Sequence, residues 1–283
     1  MLKLIECPRD AMQGWHRMIS TDEKVKYLNA LLQVGFDTID FGSFVSPKAI
    51  PQMADTKEVL SQLDLSRTKS KLLAIVANLR GAEEAVVYDE ISYLGFPFSV
   101  SETFQLRNTN KTIAESLEQV HSMQELCIKN RKELVIYISM GFGNPYGDPY
   151  SPEIVLEWIA EMVKMDIGII SLADTVGVAD PATITGLFRH LVPAYPQVEI
   201  GAHFHAAPYN WEDKLKAAYD QGCRRFDSSI KGIGGCPMAK DELVGNLATE
   251  NLIAFCQEHG ESLPLNMQAL GKAQLLADAV FKD

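Results

Sequence analysis

The apolar residues of this chain recur in a rhythm. A short β-branched or aliphatic run is followed by a loop and then by a longer stretch with helical spacing of its apolar residues, repeated from one end to the other. Eight runs read as strands: Leu2 to Glu6, Thr38 to Phe41, Leu72 to Ala77, Ile91 to Leu94, Leu134 to Ser139, Gly168 to Leu172, Glu199 to Phe204 and Arg225 to Ser228. The helices between them carry start signals. Ser20 with Glu23 and Thr112 with Glu115 form capping boxes, and Asp180 caps a helix that opens on Pro181.

Eight alternating strand and helix units imply an α/β fold with a parallel sheet, either open and doubly wound or closed into a (β/α)8 TIM barrel. An open dinucleotide-binding sheet would have a Gly-rich turn after its first strand, whereas this strand leads into Cys7-Pro8-Arg9-Asp10. The expected fold is therefore the barrel, a single domain over residues 1–283 with a short C-terminal helical tail from Leu265 to Phe281. No Gly/Ser linker, charge run or low-complexity tract divides it.

With 47% hydrophobic and 22% charged residues, the chain can bury a full core. Its net charge of -11 gives no long-range attraction for polyanions, which argues against nucleic-acid binding. The N-terminus reaches Pro8, Arg9 and Asp10 too soon for a signal peptide, and no apolar run is long enough to span a membrane. Five cysteines, Cys7, Cys127, Cys223, Cys236 and Cys256, are scattered without paired spacing, as expected of reduced thiols in the cytoplasm.

Chemistry concentrates at the strand ends. His203 and His205 alternate along the seventh strand, so both imidazoles point to one side and can hold one metal ion. Asp10 follows the first strand and Asp174 the sixth; each can line a catalytic face at the barrel mouth or cap the turn that follows. Arg9 can bind a substrate carboxylate or thioester oxygen, or form a rim ion pair. Asp40, at the end of the second strand, either faces the same mouth or sits in a surface turn. Cys236 lies among three glycines in Gly232 to Pro237, a composition suited to a mobile loop that sets a thiol over a pocket, although a free cysteine can equally be a small buried hydrophobe. The other four cysteines read as packing.

Together these segments resemble the 3-hydroxy-3-methylglutaryl-CoA lyases, within the wider group of metal-dependent TIM-barrel lyases and Claisen-condensing enzymes. GIGGCPMA at 232–239 is similar to that family's loop around its catalytic cysteine. PRDAMQ at 8–13, SFVSPKAIPQMAD at 43–55, NLRG at 78–81, ADTVGV at 173–178, HFH at 203–205 and GNLATENL at 245–252 follow in matching order. The resemblance implies a divalent cation, Mg²⁺ or Mn²⁺, bound by Asp10, His203, His205 and the side-chain oxygen of Asn246. It implies Arg9 as the group that stabilises an enolate, Asp40 and His203 in proton transfer, and Cys236 in the proton-transfer apparatus. Gln13, Asn108, Tyr137, Asp174 and Thr175 would line the substrate pocket.

The implied reaction is retro-Claisen cleavage of 3-hydroxy-3-methylglutaryl-CoA, or a closely related 3-hydroxyacyl-CoA, to acetyl-CoA and acetoacetate. The partners implied are the acyl-CoA substrate and, in a homodimer, a second copy of the chain, with neither nucleic acid nor membrane. The sequence departs from the family's pattern at Asp40, where glutamate is usual, at His16 in place of lysine, and at Ala206 in place of aspartate. A Claisen-type synthase of the same superfamily is the rival activity, although such enzymes carry a C-terminal extension. A catalytically silent barrel that binds metal or acyl-CoA is the rival of another class.

Overall fold

Every strand of the molecule has two strand neighbours, because the eight pair in sequence order and β1 also pairs with β8. The computed structural model describes residues 2–235 and 244–282. Its parallel strands are β1 (Lys3–Glu6), β2 (Thr38–Ser43), β3 (Lys71–Ile75), β4 (Ile91–Ser99), β5 (Glu133–Ser139), β6 (Ile169–Asp174), β7 (Glu199–Phe204) and β8 (Arg225–Ser228). The helices are α1 (Pro8–Gln13), α2 (Thr21–Leu31), α3 (Thr56–Leu60), α4 (Leu79–Ala85), α5 (Glu102–Thr109), α6 (Ile113–Lys129), α7 (Pro152–Lys164), α8 (Pro181–Ala194), α9 (Trp211–Tyr219), α10 (Thr249–Glu258) and α11 (Met267–Val280). This is the expected TIM barrel.

The cap chemistry read from sequence is present. Ser20 and Glu23, and Thr112 and Glu115, exchange the reciprocal hydrogen bonds of capping boxes, and the Asp180 carboxylate accepts from the amides of Ala182 and Thr183. Each bond satisfies an amide that the helix itself leaves unpaired.

Strand alternation divides the apolar residues into two cores. One set points outward into the seam between strands and helices, where Ile39, Leu94, Ile138, Leu172 and Phe226 are buried against α-helical side chains. The other fills the barrel itself, with Leu73, Tyr93, Val135, Tyr137 and Ile169 in one interior cluster. Gly95 belongs to this inner layer: a Cβ there would lie 2.6 Å from Ile75 Cδ1 and 3.0 Å from Tyr137. The helical tail, α11, packs on α2, and Phe281 beyond it meets Tyr27 and Trp15 edge-on. The interior filling leaves one end of the barrel, where the strands finish, to carry chemistry.

Candidate active site

At the C-terminal end of the strands, three donor groups converge. Ligand atoms of Asp10, His203 and His205 all lie within 4.8 Å of one another, a set that could hold one cation. Asp10 sits within α1, which Pro8 opens immediately after β1. His203 is on β7 facing the barrel interior, and His205 follows two residues later with the same facing.

Each imidazole is fixed by its Nδ1. In His203 that atom lies 3.0 Å from Asp227 Oδ2, its neighbour across the β7–β8 ladder, and in His205 it lies 2.9 Å from the Thr175 carbonyl oxygen. Such partners set the tautomer and leave Nε2 with its lone pair. His205 Nε2 is buried and has no hydrogen-bond partner among the described residues. Burial first, and then neighbouring His203, push the His205 pKa down to about 4, which keeps it neutral. A neutral, orphaned imidazole beside a carboxylate fits a divalent cation.

Asp10 has the charge for that role. Burial works to raise its pKa, but Arg9 and the two imidazoles hold it below the ordinary carboxylate value. Arg9 Nη1 donates to Asp10 Oδ1 at 3.0 Å, and Asn246 Nδ2 donates to Asp10 Oδ2 at 2.7 Å. Asn246 Nδ2 also donates to the Ile233 carbonyl oxygen at 3.0 Å, so both amide hydrogens are committed. Gly234, at φ +125°, backs directly onto this pair: a Cβ there would lie 2.2 Å from Asn246 Nδ2. Only glycine fits that place.

Arg9 is clamped by two carboxylates. Besides Asp10, it donates from Nε and Nη2 to Asp40, at 3.0 Å and 2.5 Å from Oδ2. Burial pushes Asp40 up to about 6 despite the arginine. His203 is also displaced: burial would lower it, but Asp227 and Asp10 together raise it above the usual imidazole value. The site therefore has one carboxylate held ionised, a second carboxyl raised by burial to about 6, and an imidazole raised by its carboxylate neighbours.

A cavity of about 240 Å³ opens above these groups. Arg9, Asp10, His203 and His205 line it, together with Gln13, Asn108, Tyr137 and Thr175. Asp40 and Asp174 are not among its lining residues. Asp40 meets the cavity only across Arg9. Asp174 is turned away altogether: it is the last residue of β6, and its Oδ2 accepts from Lys214 Nζ of α9 at 2.6 Å while Oδ1 accepts from the Ala179 amide at 3.0 Å. Pocket-lining was the expectation for Asp174, and the geometry instead makes it half of a buried ion pair. Cys236 lies outside the described residues.

Two groups at the site carried no sequence signal that was read as functional. Asp227 orients His203 from the place opposite it on the β7–β8 ladder. Cys7, expected only to pack, lies with His203 and Asp227 in a second cluster of donor atoms within 4.8 Å. Burial and then the surrounding Asp227, Asp40 and Asp10 push its thiol well above the usual value, so it is a neutral neighbour. Cys127, Cys223 and Cys256 are buried and free, as expected of packing.

The HMGL-like family model matches residues 3–276. This chain belongs to that family. A mitochondrial hydroxymethylglutaryl-CoA lyase of Pongo abelii is 32% identical over 275 residues, spanning 96% of this HMGL-like chain and 83% of the relative. A 3-hydroxy-3-isohexenylglutaryl-CoA/hydroxy-methylglutaryl-CoA lyase of Pseudomonas aeruginosa is 33% identical over 254 residues, spanning 89% of this chain and 83% of its own. Among solved structures, an HMG-CoA lyase from Acinetobacter baumannii, in complex with coenzyme A and 3-methylmalate, superposes with a TM-score of 0.91 at 31% identity. The match covers 99% of this chain and 91% of that one. The resemblance read from the sequence, its barrel fold and its assignment to a lyase family are borne out. No helix among the described residues is long and apolar enough to cross a membrane.

Proposed function

We propose that residues 1–283 act as one catalytic domain that cleaves 3-hydroxy-3-methylglutaryl-CoA, or a close 3-hydroxyacyl-CoA relative, to acetyl-CoA and a 3-oxo acid. The observation that carries this is the meeting of Asp10, His203 and a His205 Nε2 with no partner among the described residues, beside a clamped arginine, in a chain of the HMGL-like family. The names of the relatives from Pongo abelii and Pseudomonas aeruginosa supply the acyl-CoA class, and the coenzyme A of the Acinetobacter baumannii complex agrees with it.

Asp10, His203 and His205 would hold the cation, with Asn246 offering Oδ1 because both of its amide hydrogens are committed. A mixed nitrogen and oxygen donor set with one carboxylate suits Mg²⁺ or Mn²⁺. When bound, such an ion supplies Lewis-acid polarisation of the substrate's tertiary hydroxyl.

The protein's own groups supply the remainder. Arg9, held rigid by Asp10 and Asp40, presents fixed positive charge where the thioester enolate develops, and it needs no reorganisation as that charge forms. His203 lines the cavity, whereas Asp40 meets it only across Arg9; we assign proton transfer to these two. Gln13, Asn108, Tyr137 and Thr175 would orient the acyl group. Cys236 would return a proton to the enolate carbon, and the four described cysteines, all free and buried, accord with a cytoplasmic enzyme. A homodimer completes the proposal.

Incubating the protein with 3-hydroxy-3-methylglutaryl-CoA and Mg²⁺ or Mn²⁺ should release acetyl-CoA and acetoacetate, and a chelator should stop it. Absence of product with either metal would refute the activity. Arg9→Ala and His203→Ala should abolish turnover, and a fully active Cys236→Ala would remove the thiol from the reaction.

A further inference from the structure

Behind the His203 imidazole, three donors of different kinds meet. Ligand atoms of Cys7, His203 and Asp227 all lie within 4.8 Å of one another. They come from three adjacent strands of the barrel. Asp227 of β8 pairs with His203 of β7 on one side and with Ile5 of β1 on the other, and Cys7 follows Ile5 by two residues.

Two of these donors are short of partners. Asp227 Oδ2 lies 3.0 Å from His203 Nδ1, whereas Asp227 Oδ1 is buried with no hydrogen-bond partner among the described residues. The Asp227 side chain is 1% exposed, so bulk water does not reach that oxygen, and a buried carboxylate oxygen left unpaired is costly. Cys7 is buried too, and its Sγ reaches the Ile5 carbonyl oxygen only at 4.0 Å, a weak contact even for sulfur.

This donor set differs in kind from that of Asp10, His203 and His205. A thiolate sulfur with an imidazole nitrogen suits a borderline-soft ion such as Zn²⁺, whereas Mg²⁺ and Mn²⁺ favour sets richer in oxygen. Charge balances as well. A thiolate and a carboxylate, with a neutral imidazole, offset both charges of the ion in a place closed to water.

We propose that Cys7 Sγ, His203 Nδ1 and an Asp227 carboxylate oxygen form a second metal site, selective for Zn²⁺ over Mg²⁺ and Mn²⁺. On binding, the Cys7 S–H bond breaks as the sulfur–zinc bond forms, and the thiol proton passes to solvent. The His203 ring gives up its proton at Nδ1 and carries one at Nε2 instead. A neutral imidazole has one nitrogen lone pair, so a ring that gives Nδ1 to zinc has none at Nε2 for the cation beside Asp10 and His205. The two ions therefore exclude each other at His203. The zinc site stands on its own three residues; only this exclusion rests on the lyase reading above.

Co²⁺ in place of Zn²⁺ reports the sulfur, because a bound thiolate adds an intense near-ultraviolet charge-transfer band that oxygen and nitrogen ligands lack. The full chain carrying Cys236→Ala, which removes the thiol assigned above to proton return, should develop this band on titration with Co²⁺ and lose it when Zn²⁺ is added. Adding Cys7→Ala should abolish the band while Mn²⁺ still binds. No band in the Cys236→Ala chain, or a band that survives Cys7→Ala, overturns the site. Should the doubly substituted chain not fold, X-ray absorption of the Zn²⁺-loaded Cys236→Ala chain decides: one sulfur ligand is expected, and none overturns the site. A chain that shows the band while holding Mn²⁺ through two imidazole nitrogens overturns the exclusion. Failure of Mn²⁺ to bind at all removes the cation of the lyase reading and leaves the zinc site standing.

Discussion

Replacing Lys214 by methionine should unfasten the rear of the active site. Lys214 Nζ donates to Asp174 Oδ2 at 2.6 Å and to the carbonyl oxygens of Gly177 and His205 at 2.9 Å each. The side chains of Lys214 and Asp174 are 2% and 0% exposed, so neither ion can turn to water. Removing one partner of a buried pair costs about 3–5 kcal/mol, chiefly because the other charge is stranded. Here Asp174 would keep its bond from the Ala179 amide but lose its counter-ion. Burial already raises the pKa of Asp174 against the pull of Lys214, and the substitution would raise it further. A carboxyl that titrates higher folded than unfolded destabilises the native state increasingly as pH rises between the two values, by about 1.4 kcal/mol per pH unit at most. The cost of Lys214→Met should therefore be greatest at neutral pH and smaller at about pH 5. Urea unfolding followed by tryptophan fluorescence at both pH values would measure it, and the Asp174→Asn/Lys214→Met double variant should recover more than half of the loss. A cost below about 1 kcal/mol at neutral pH, or one that does not change with pH, would show that the Lys214–Asp174 pair does not hold this end of the barrel together.

Glu6 gives a second pH signature. Its carboxyl accepts from the Ile230 amide at 2.9 Å and from the Thr249 hydroxyl at 2.6 Å, and burial pushes its pKa up to about 8 from an ordinary 4.5. The folded chain then keeps a proton that the unfolded chain releases, so this group erodes stability as pH rises from about 5 to 8. Glu6→Gln should flatten that decline in melting temperature, and an unaltered slope would exclude Glu6 as its source. Asp227→Asn removes the charge behind His203 Nδ1 and should weaken Mn²⁺ binding by about 10- to 100-fold in calorimetry. Unchanged affinity would leave Asp227 no part in the site.

The repeating rhythm places β7 and β8 to the residue, at Glu199–Phe204 and Arg225–Ser228. It stopped β4 at Leu94, whereas the strand runs to Ser99. Gly95 and Pro97 look like punctuation in a sequence, yet in a closed barrel the glycine is required by the close approach of Ile75 and Tyr137. The donor triad was legible because His203 and His205 share a strand face. Asp174 was misplaced through the same alternation: Ala173 faces the cavity, so the next residue must face the helices, where Lys214 waits 40 positions along the chain. Asp227 was missed because its role depends on lying opposite His203 across the β7–β8 ladder, and no local pattern announces that register.

One divalent cation should sit among Asp10, His203 and His205. Electron paramagnetic resonance of the Mn²⁺-loaded protein, with resolved nitrogen couplings, reads this most directly. Two imidazole nitrogens should couple to the ion in the native chain, and one in His205→Ala. A spectrum with no imidazole coupling, or one that His205→Ala leaves unchanged, would place the ion elsewhere.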